Sequence, residues 1–384
     1  MRHVLNGDIL TIFLEGELNS YNAESIGAEI DGIIKDNSFK NLVLDLERLR
    51  YISSAGLRVV LKLKQQFDSL SIINASLEVY DVFQMTGFTS MLNITKALRK
   101  IDINGAEVIG DGFFSTVYRL DKDTIVKVFN RTSDPEQIER ELRLAKEAFI
   151  LGVPTAISFD IVKAGDKLGV VFEMLDCMSL KTAVLTDTNR YPEYLKKYAD
   201  LLKKINTTEC FNQTIPNIKE KYLEKVEYVK PYLEEKYYSK VKKLIESIEE
   251  RKTFVHGDCH FKNIMVQNGE LLLIDMDTLS VGHPIFELAA ICAPYCLFNE
   301  DDPGNSEKFF GVTEEQANGL YNSLLDTYFG KDDKDIKNKI RLVGYLHMVW
   351  WNRINEPSNN ERLEGCRSRL YKLLDEYNDL DIGI

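Results

Sequence analysis

Asp258, Asn263 and Asp275 are the residues of this chain whose types and spacing most directly suggest chemistry. They stand in the stretch FVHGDCHFKNIMVQNGELLLIDMD, residues 254–277. A positioned carboxylate can orient an attacking hydroxyl and take up its proton. An amide oxygen and a second carboxylate are hard donors suited to magnesium bridging two phosphates. Asp258 fits the first task, Asn263 and Asp275 the second, and the chemistry would be phosphoryl transfer from a nucleotide. To bring the three together, a short loop carrying His256, Asp258 and Asn263 must be followed by a strand pair, residues 264–266 and 271–274, that returns Asp275 to the loop. His256 and Asp277 are supporting candidates, and Asp277 alone would read as a polar strand end.

The pattern H-G-D-x-x-x-x-N followed by a hairpin and Asp resembles the aminoglycoside phosphotransferase and choline kinase group of kinase-like enzymes. Gly257 stands where protein kinases carry an Arg that can pair with a phosphorylated activation loop, and no A-P-E segment follows, so control by loop phosphorylation is not expected. The continuation VGHPIFELA is similar to the family's G-D-P-x-x-D-L-A, with His283 and Glu287 in place of Asp. These two departures leave the metal ligands intact and bear on how the catalytic loop is supported.

Upstream, AEVIGDGFFSTVYRLDKDTIVKVF reads as strand, turn, strand, turn, strand. Gly110 and Gly112 fall in the first turn, where residues without a side chain would let the backbone approach a triphosphate. Ser115 takes the third position of the G-x-G-x-x-G pattern, which by itself is weak. Lys127, on the third strand, would neutralise the α- and β-phosphates. Its partner should come from the helical pattern PEQIERELRLAKEAFILGVPTA, with Glu141 first and Glu139 in reserve. Next, the strand pair in ISFDIVKAGDKLGVVFEML would lead to a hinge that sets Glu173 and Leu175 beside the adenine. The helix after the metal strand, PIFELAAICAPYCLF, would underpin the catalytic loop.

The first hundred residues have a different organisation. Alternating runs near Val4 and residues 9–14, a helix with Ile26, Ile30, Ile33 and Ile34, the strand NLVLDL, the turn LRYISSAGL opening a helix, the strand LSIINA and a last helix compose a small α/β domain. YISSAGLRVVL and the later N-A-S-x-x-V-x-x-V-F-x-x-T-G-F stretch resemble the STAS domain of anti-sigma-factor antagonists. That resemblance puts Ser54 at the family's phosphoacceptor position, with Ser53 where Asp is usual. A helix start favours phosphate; equally, Ser53 or Ser54 could simply cap the helix. The resemblance further implies a protein-interaction module, with a switch kinase or other signalling protein as partner.

The expected architecture is therefore an α/β STAS-type domain, residues 1–98, followed by an α+β, bilobal, protein-kinase-like phosphotransferase domain, residues 104–384. The small lobe would run to about 176 and the large lobe from about 177, with a join near Asn104-Gly105. A chain of 384 residues with 44% hydrophobic content can build more than one core. A net charge of -12 argues against a phosphate-neutralising nucleic-acid binder; it suits a cationic small substrate, although acidic soluble proteins are common. No apolar run reaches membrane-spanning length, no signal peptide is evident, and six scattered cysteines form no zinc pattern, so a cytoplasmic setting is expected.

The large lobe is helical and charged. Its tyrosine-rich segment reads as helix packing rather than a ligand box. Tyr345, His347, Trp350 and Trp351 are candidates for an acceptor pocket, with core packing expected for at least one tryptophan. NEDDP, residues 299–303, could attract an amine or be a solvated loop. Three functions fit: an ATP- and magnesium-dependent kinase of a small-molecule hydroxyl, a protein-directed kinase acting on the Ser54 loop of this or another STAS module, and a non-catalytic nucleotide sensor.

Overall fold

The computed structural model describes residues 1–111, 115–130, 135–212 and 214–384. The chain divides into two compact units: Met1–Asp102 with the short segment Val162–Asp166, and Ile103–Ile161 with Lys167–Ile384.

In the first unit, β1 (His3–Asn6), β2 (Ile9–Leu18), β3 (Asn41–Ile52), β4 (Ser71–Ala75) and β5 (Asn93–Lys96) form a sheet in that order. The β1–β2 pair is antiparallel and the others are parallel. Leu10, Ile12, Leu14 and Leu18 of β2 are buried at alternate positions, as the period of a strand requires. The helices are α1 (Ala23–Asp36), α2 (Ser54–Gln66) and α3 (Leu77–Met85), and β6 (Arg99–Ile101) follows β5. One departure from expectation concerns β3, which runs through LRYI instead of turning after NLVLDL. Leu49 and Ile52 are buried there while Glu47, Arg48 and Arg50 face outward. Register shifts against β2 absorb the mismatch.

The start of α2 shows which of the two serines caps the helix. Ser53 is the N-cap, its hydroxyl accepting from the Gly56 N–H at 3.3 Å, and Ser54 is the first helical residue and exposed. Gly56 is required for a steric reason: a Cβ there would lie 2.7 Å from the Leu18 side chain and backbone oxygen.

The second unit opens with β7 (Val108–Asp111), β8 (Ser115–Arg119), β9 (Thr124–Phe129), α4 (Pro135–Ile150), the first part of β10 (Ser158–Ala164), whose end from Val162 belongs to the first unit, and β11 (Lys167–Glu173). Strands β11, β9, β8 and β7 lie side by side, each antiparallel to the next. Helices follow, among them Tyr191–Thr207, Ile218–Val229, Glu235–Ser247, Ile285–Cys292, Glu314–Phe329, Lys334–Asn355 and Asn360–Glu376. They enclose a core that includes Tyr198, Tyr222, Phe254, Phe261, Phe286 and Tyr295. Two hairpin strands, Ile264–Gln267 and Glu270–Leu273, sit against this core through Ile264, Leu271 and Leu273. Asn268 (φ 52) and Gly269 (φ 81) make the hairpin turn, the left-handed pair that a two-residue hairpin demands. Among the described residues no helix is long and apolar enough to cross a membrane.

Candidate active site

The loop from His256 to Asn263 leaves the short strand Phe254–Val255 and enters the hairpin. Its shape is held by groups in its surroundings. Glu287, fully buried on the helix Ile285–Cys292, accepts from the backbone N–H of His256 and, at 3.2 Å, of Gly257. Burial pushes its carboxyl up to about 7 against the opposing pull of those N–H donors. The substitution of Glu for Asp in the VGHPIFELA segment is thus where the loop's support comes from. His283, the other departure, is buried and accepts from the Ile285 N–H at 3.2 Å, which steadies the start of the same helix.

His256 is buried and spans the gap between loop and hairpin. Its Nδ1 accepts from the Asp258 N–H at 3.2 Å, so Nε2 carries the proton and donates to the Ile274 carbonyl, also at 3.2 Å. Burial depresses its pKa, which keeps that neutral tautomer. The Thr278 hydroxyl donates to the His256 carbonyl at 2.6 Å, Tyr295 accepts from the Phe261 N–H at 2.9 Å, and the Tyr198 hydroxyl donates to the Cys259 carbonyl. Cys259 itself is fully buried, and burial raises its thiol far above the nucleophilic range.

The loop delivers Asp258 beside Asn263, whose amide nitrogen donates to Asp258 Oδ2 at 2.9 Å. The amide oxygen of Asn263 is then the atom left for a cation. Asp258 keeps 45% of its side chain exposed, yet desolvation raises its carboxyl to about 6, and Asp275 adds to that rise. Asp275 sits just past the hairpin at φ 66, a left-handed conformation that Asp tolerates better than most residues. Asp277 is exposed, and desolvation followed by the charges of Asp275 and Glu141 pushes its carboxyl up to about 7. Crowded carboxylates, two of which, Asp258 and Asp277, are raised, with an amide oxygen alongside, are chemistry that a hard divalent cation would relieve. Asn263 and Asp275 fit magnesium on that ground.

The sheet contributes Lys127 from β9. Its ammonium is 2.9 Å from Glu141 Oε1 on α4 and 2.7 Å from Asp275 Oδ1, partners 14 and 148 positions away. Burial disfavours the ammonium, but Asp275 and then Glu141 override it and hold the pKa above the ordinary lysine value. Glu141 is buried and its carboxyl is raised, because desolvation outweighs the pull of Lys127.

Other expected residues fall less neatly. Gly110 is not in a turn: it pairs with Val117 inside β7, next to a register shift that takes up the irregularity. Ser115 opens β8 opposite Phe129, and the Thr116 hydroxyl donates to Asp111 Oδ1 at 3.0 Å across the hairpin. Gly112 lies outside the described residues. Glu173 ends β11 and its carboxylate accepts from the Ile157 N–H at 2.7 Å, while Leu175 lies in the segment joining β11 to the helices.

Beside Asp258 opens a cavity of about 750 Å³ whose wall includes Tyr222, Lys225, His347, Trp350 and Trp351. Tyr345, also expected there, instead donates to Glu300 at 2.7 Å, and the carboxylates of Glu300 and Asp301 pair with Arg369. Lys221, Lys225 and Tyr222 were not singled out by sequence; they occupy one face of the helix Ile218–Val229, far along the chain from the tryptophans, and no local motif marks them.

A lysine from a sheet, a helix glutamate, a loop Asp and Asn, and an Asp beyond a hairpin define a kinase-like phosphotransferase site. Residues 105–309 match the family model described as the phosphotransferase enzyme family, and residues 3–101 match that of the STAS domain. The chain belongs to the phosphotransferase enzyme family and carries a STAS domain ahead of it. It is accordingly an ATP-dependent phosphotransferase with a hydroxyl acceptor. Over 93 residues, 23% of this chain and 79% of the relative, it is 40% identical to the "Putative anti-sigma factor antagonist BtrV" of Bordetella bronchiseptica. The streptomycin–ATP–APH(2″)-IIa ternary complex aligns with 81% of this chain and 99% of its own, at 15% identity and a TM-score of 0.45. The unphosphorylated anti-sigma factor antagonist SpoIIAA aligns with 24% of this chain and 85% of its own, at 24% identity and a TM-score of 0.22.

Proposed function

We propose that this protein moves the γ-phosphoryl group of ATP to a hydroxyl of a small molecule in the cytoplasm, with residues 1–98 as a regulatory or partner-binding module and residues 104–384 as the catalyst. The observation that carries the assignment is the ammonium of Lys127 joined to both Glu141 and Asp275. Only a fold that brings strand, helix and hairpin to one point makes that triad. Asp258 would orient the acceptor hydroxyl and take its proton, with His256 fixing the loop from behind. Lys127, held by Glu141, would neutralise the α- and β-phosphates, Gly110, Gly112 and Ser115 would pass close to them, and Glu173 and Leu175 would flank the adenine. Asn263 and Asp275 would hold magnesium, which when bound supplies charge neutralisation for the phosphates. The test is acceptor-dependent ADP release across a panel of alcohols, amines and sugars. Activity with at least one acceptor that disappears in Asp258→Asn supports the assignment; ATP binding without turnover on any of them would leave a nucleotide sensor instead.

A second role concerns Ser54. Because Ser53 does the capping, the Ser54 hydroxyl is exposed at the start of a helix, where free N–H groups favour a phosphate. This supports Ser54 as a regulatory phosphoacceptor, for this chain's own kinase domain or a partner. Mass spectrometry after incubation with ATP would read it: phosphate on Ser54 that is lost with Asp258→Asn indicates self-modification, and an unmodified chain counts against it.

A further inference from the structure

Two lysines one helical turn apart, Lys221 and Lys225, both line the cavity that opens at Asp258. The Lys225 ammonium donates to Nδ1 of His347 at 2.9 Å and lies 4.2 Å from the centre of the Tyr222 ring and 4.7 Å from that of Trp350. An ammonium has only protons to give, so that His347 nitrogen is an acceptor and the imidazole is neutral. Burial holds His347 in that state. Lys221 donates to the Ser280 hydroxyl at 2.8 Å. Among the described residues neither lysine has a carboxylate within ion-pair distance, in contrast to the other charges of the wall. Arg362 pairs with Glu356 at 2.8 Å, and Asp302 with Lys308 at 3.2 Å.

What remains without an ion-pair partner in the cavity is a positive end made by two ammonium groups, with Asp277 and Glu224 acting on Lys221 only from beyond contact, facing an interior that also holds the carboxylate of Asp258 beside the paired Asp302 and Glu356. Like charges a turn apart weaken a helix, and taking an ammonium out of water is costly unless something answers it. The Lys225 ammonium bears this out: burial, with Lys221 alongside, depresses its pKa to about 7. A polycationic acceptor would bring more positive charge to the same place. The overall charge of -12 is therefore no guide to what this cavity takes.

Resting on the assignment of Asp258 as the group that activates a hydroxyl, we propose that the acceptor is an anionic alcohol whose carboxylate or phosphate seats between Lys221 and Lys225, with its carbon body against the rings of Tyr222 and Trp350. Oxyanions recruit ammonium donors through charge-assisted hydrogen bonds, and aromatic faces supply contact area without competing for the charge. The reaction then moves the γ-phosphoryl from ATP to the acceptor oxygen, breaking the bond to ADP and giving the hydroxyl proton to Asp258.

The full-length protein offers a binding readout independent of turnover. Trp350 and Trp351 are the chain's two tryptophans and both line this cavity, so intrinsic emission reports its occupancy. Titration with glycerol phosphate, glycerate, glycerol and serinol compares a phosphate, a carboxylate, a neutral and an amine on similar three-carbon alcohols. The expected result is a response to glycerol phosphate or glycerate at concentrations about tenfold or more below serinol, with the better of the two anions identifying the preferred oxyanion. Lys225→Met and Lys221→Met should each erase most of that preference, and Lys221→Glu with Lys225→Glu should reverse it. Serinol binding as well as the anions, no response to either anion, or a preference that survives both methionine variants would each overturn the proposal. Faster ADP release with serinol than with the anions would overturn it while leaving the kinase assignment standing. Anion binding without ADP release from any of the four would instead strike at the assignment and leave the anion site.

Discussion

Two clusters of charge flank Asp258, and they are built in opposite ways. On the side proposed for the nucleotide Lys127 meets two carboxylates within 2.9 Å. On the cavity side the hydrogen-bond partners of Lys221 and Lys225 among the described residues are neutral, the Ser280 hydroxyl and His347. In a protein interior a charge with a good partner holds the structure together, whereas one without a partner is retained at a cost to stability. The first cluster is a structural part of the active site as well as a chemical one; the second makes sense only through what it binds.

That contrast can be broken most forcefully at the residue between the clusters. Asp258→Asn keeps the shape and removes the proposed base, so kcat should fall roughly 10²- to 10⁴-fold in steady-state ADP release while ATP affinity stays within a few-fold. Lys127→Met strips a positive charge from two carboxylates, one of them buried. It should lower stability by about 3 kcal/mol in denaturant unfolding, besides losing activity. A loss under about 1 kcal/mol would mean the pair is looser than its distances imply. Glu287→Ala leaves the N–H groups of His256 and Gly257 buried without an acceptor and should cost about 2 kcal/mol, measured the same way.

The smallest effect has the opposite sign and sharpens the comparison. Lys225→Met should stabilise the free protein, by about 1 kcal/mol near neutral pH. Lys225 is pushed down to about 7 in the folded chain, whereas an unfolded lysine titrates near 10.4. Protonation therefore favours the unfolded chain: the penalty is complete below about pH 7 and fades as the pH rises towards 10.4. The gain from Lys225→Met should be larger at pH 6 than at pH 10 in thermal unfolding, and a stability loss at pH 6 would show that the ammonium is held by more than water.

The same contrast explains what the sequence made legible. Asp258, Asn263 and Asp275 belong to one continuous loop and hairpin, where function is written as spacing, and Lys127 and Glu141 follow from the strand and helix patterns around them. The STAS domain was legible as alternating strands and helices, though not the length of β3, because a register shift hides the alternation that would have announced it. Gly110 was expected in a turn and lies in a strand for a related reason: an irregular pairing register is a property of two strands, not of one segment. The cavity was legible in part: His347, Trp350 and Trp351 were expected to line a pocket and do, whereas Lys221, Lys225 and Tyr222 were not singled out. Its lysines and tryptophans come from helices more than a hundred positions apart, and a charged helix face looks the same in sequence whether it meets solvent or a ligand.

The contact between Lys127 and Asp275 has a consequence for how the enzyme is loaded. A strand-borne cation already rests on the carboxylate proposed to receive the metal, so repulsion among the acids is partly quenched before any nucleotide arrives. Were Asp275 to take up a divalent ion on the proposed reading, that ion would supply the counter-charge Lys127 now gives, and the lysine would be free to turn towards the phosphates. Filling the cleft would then be an exchange of partners rather than the forced crowding of bare anions.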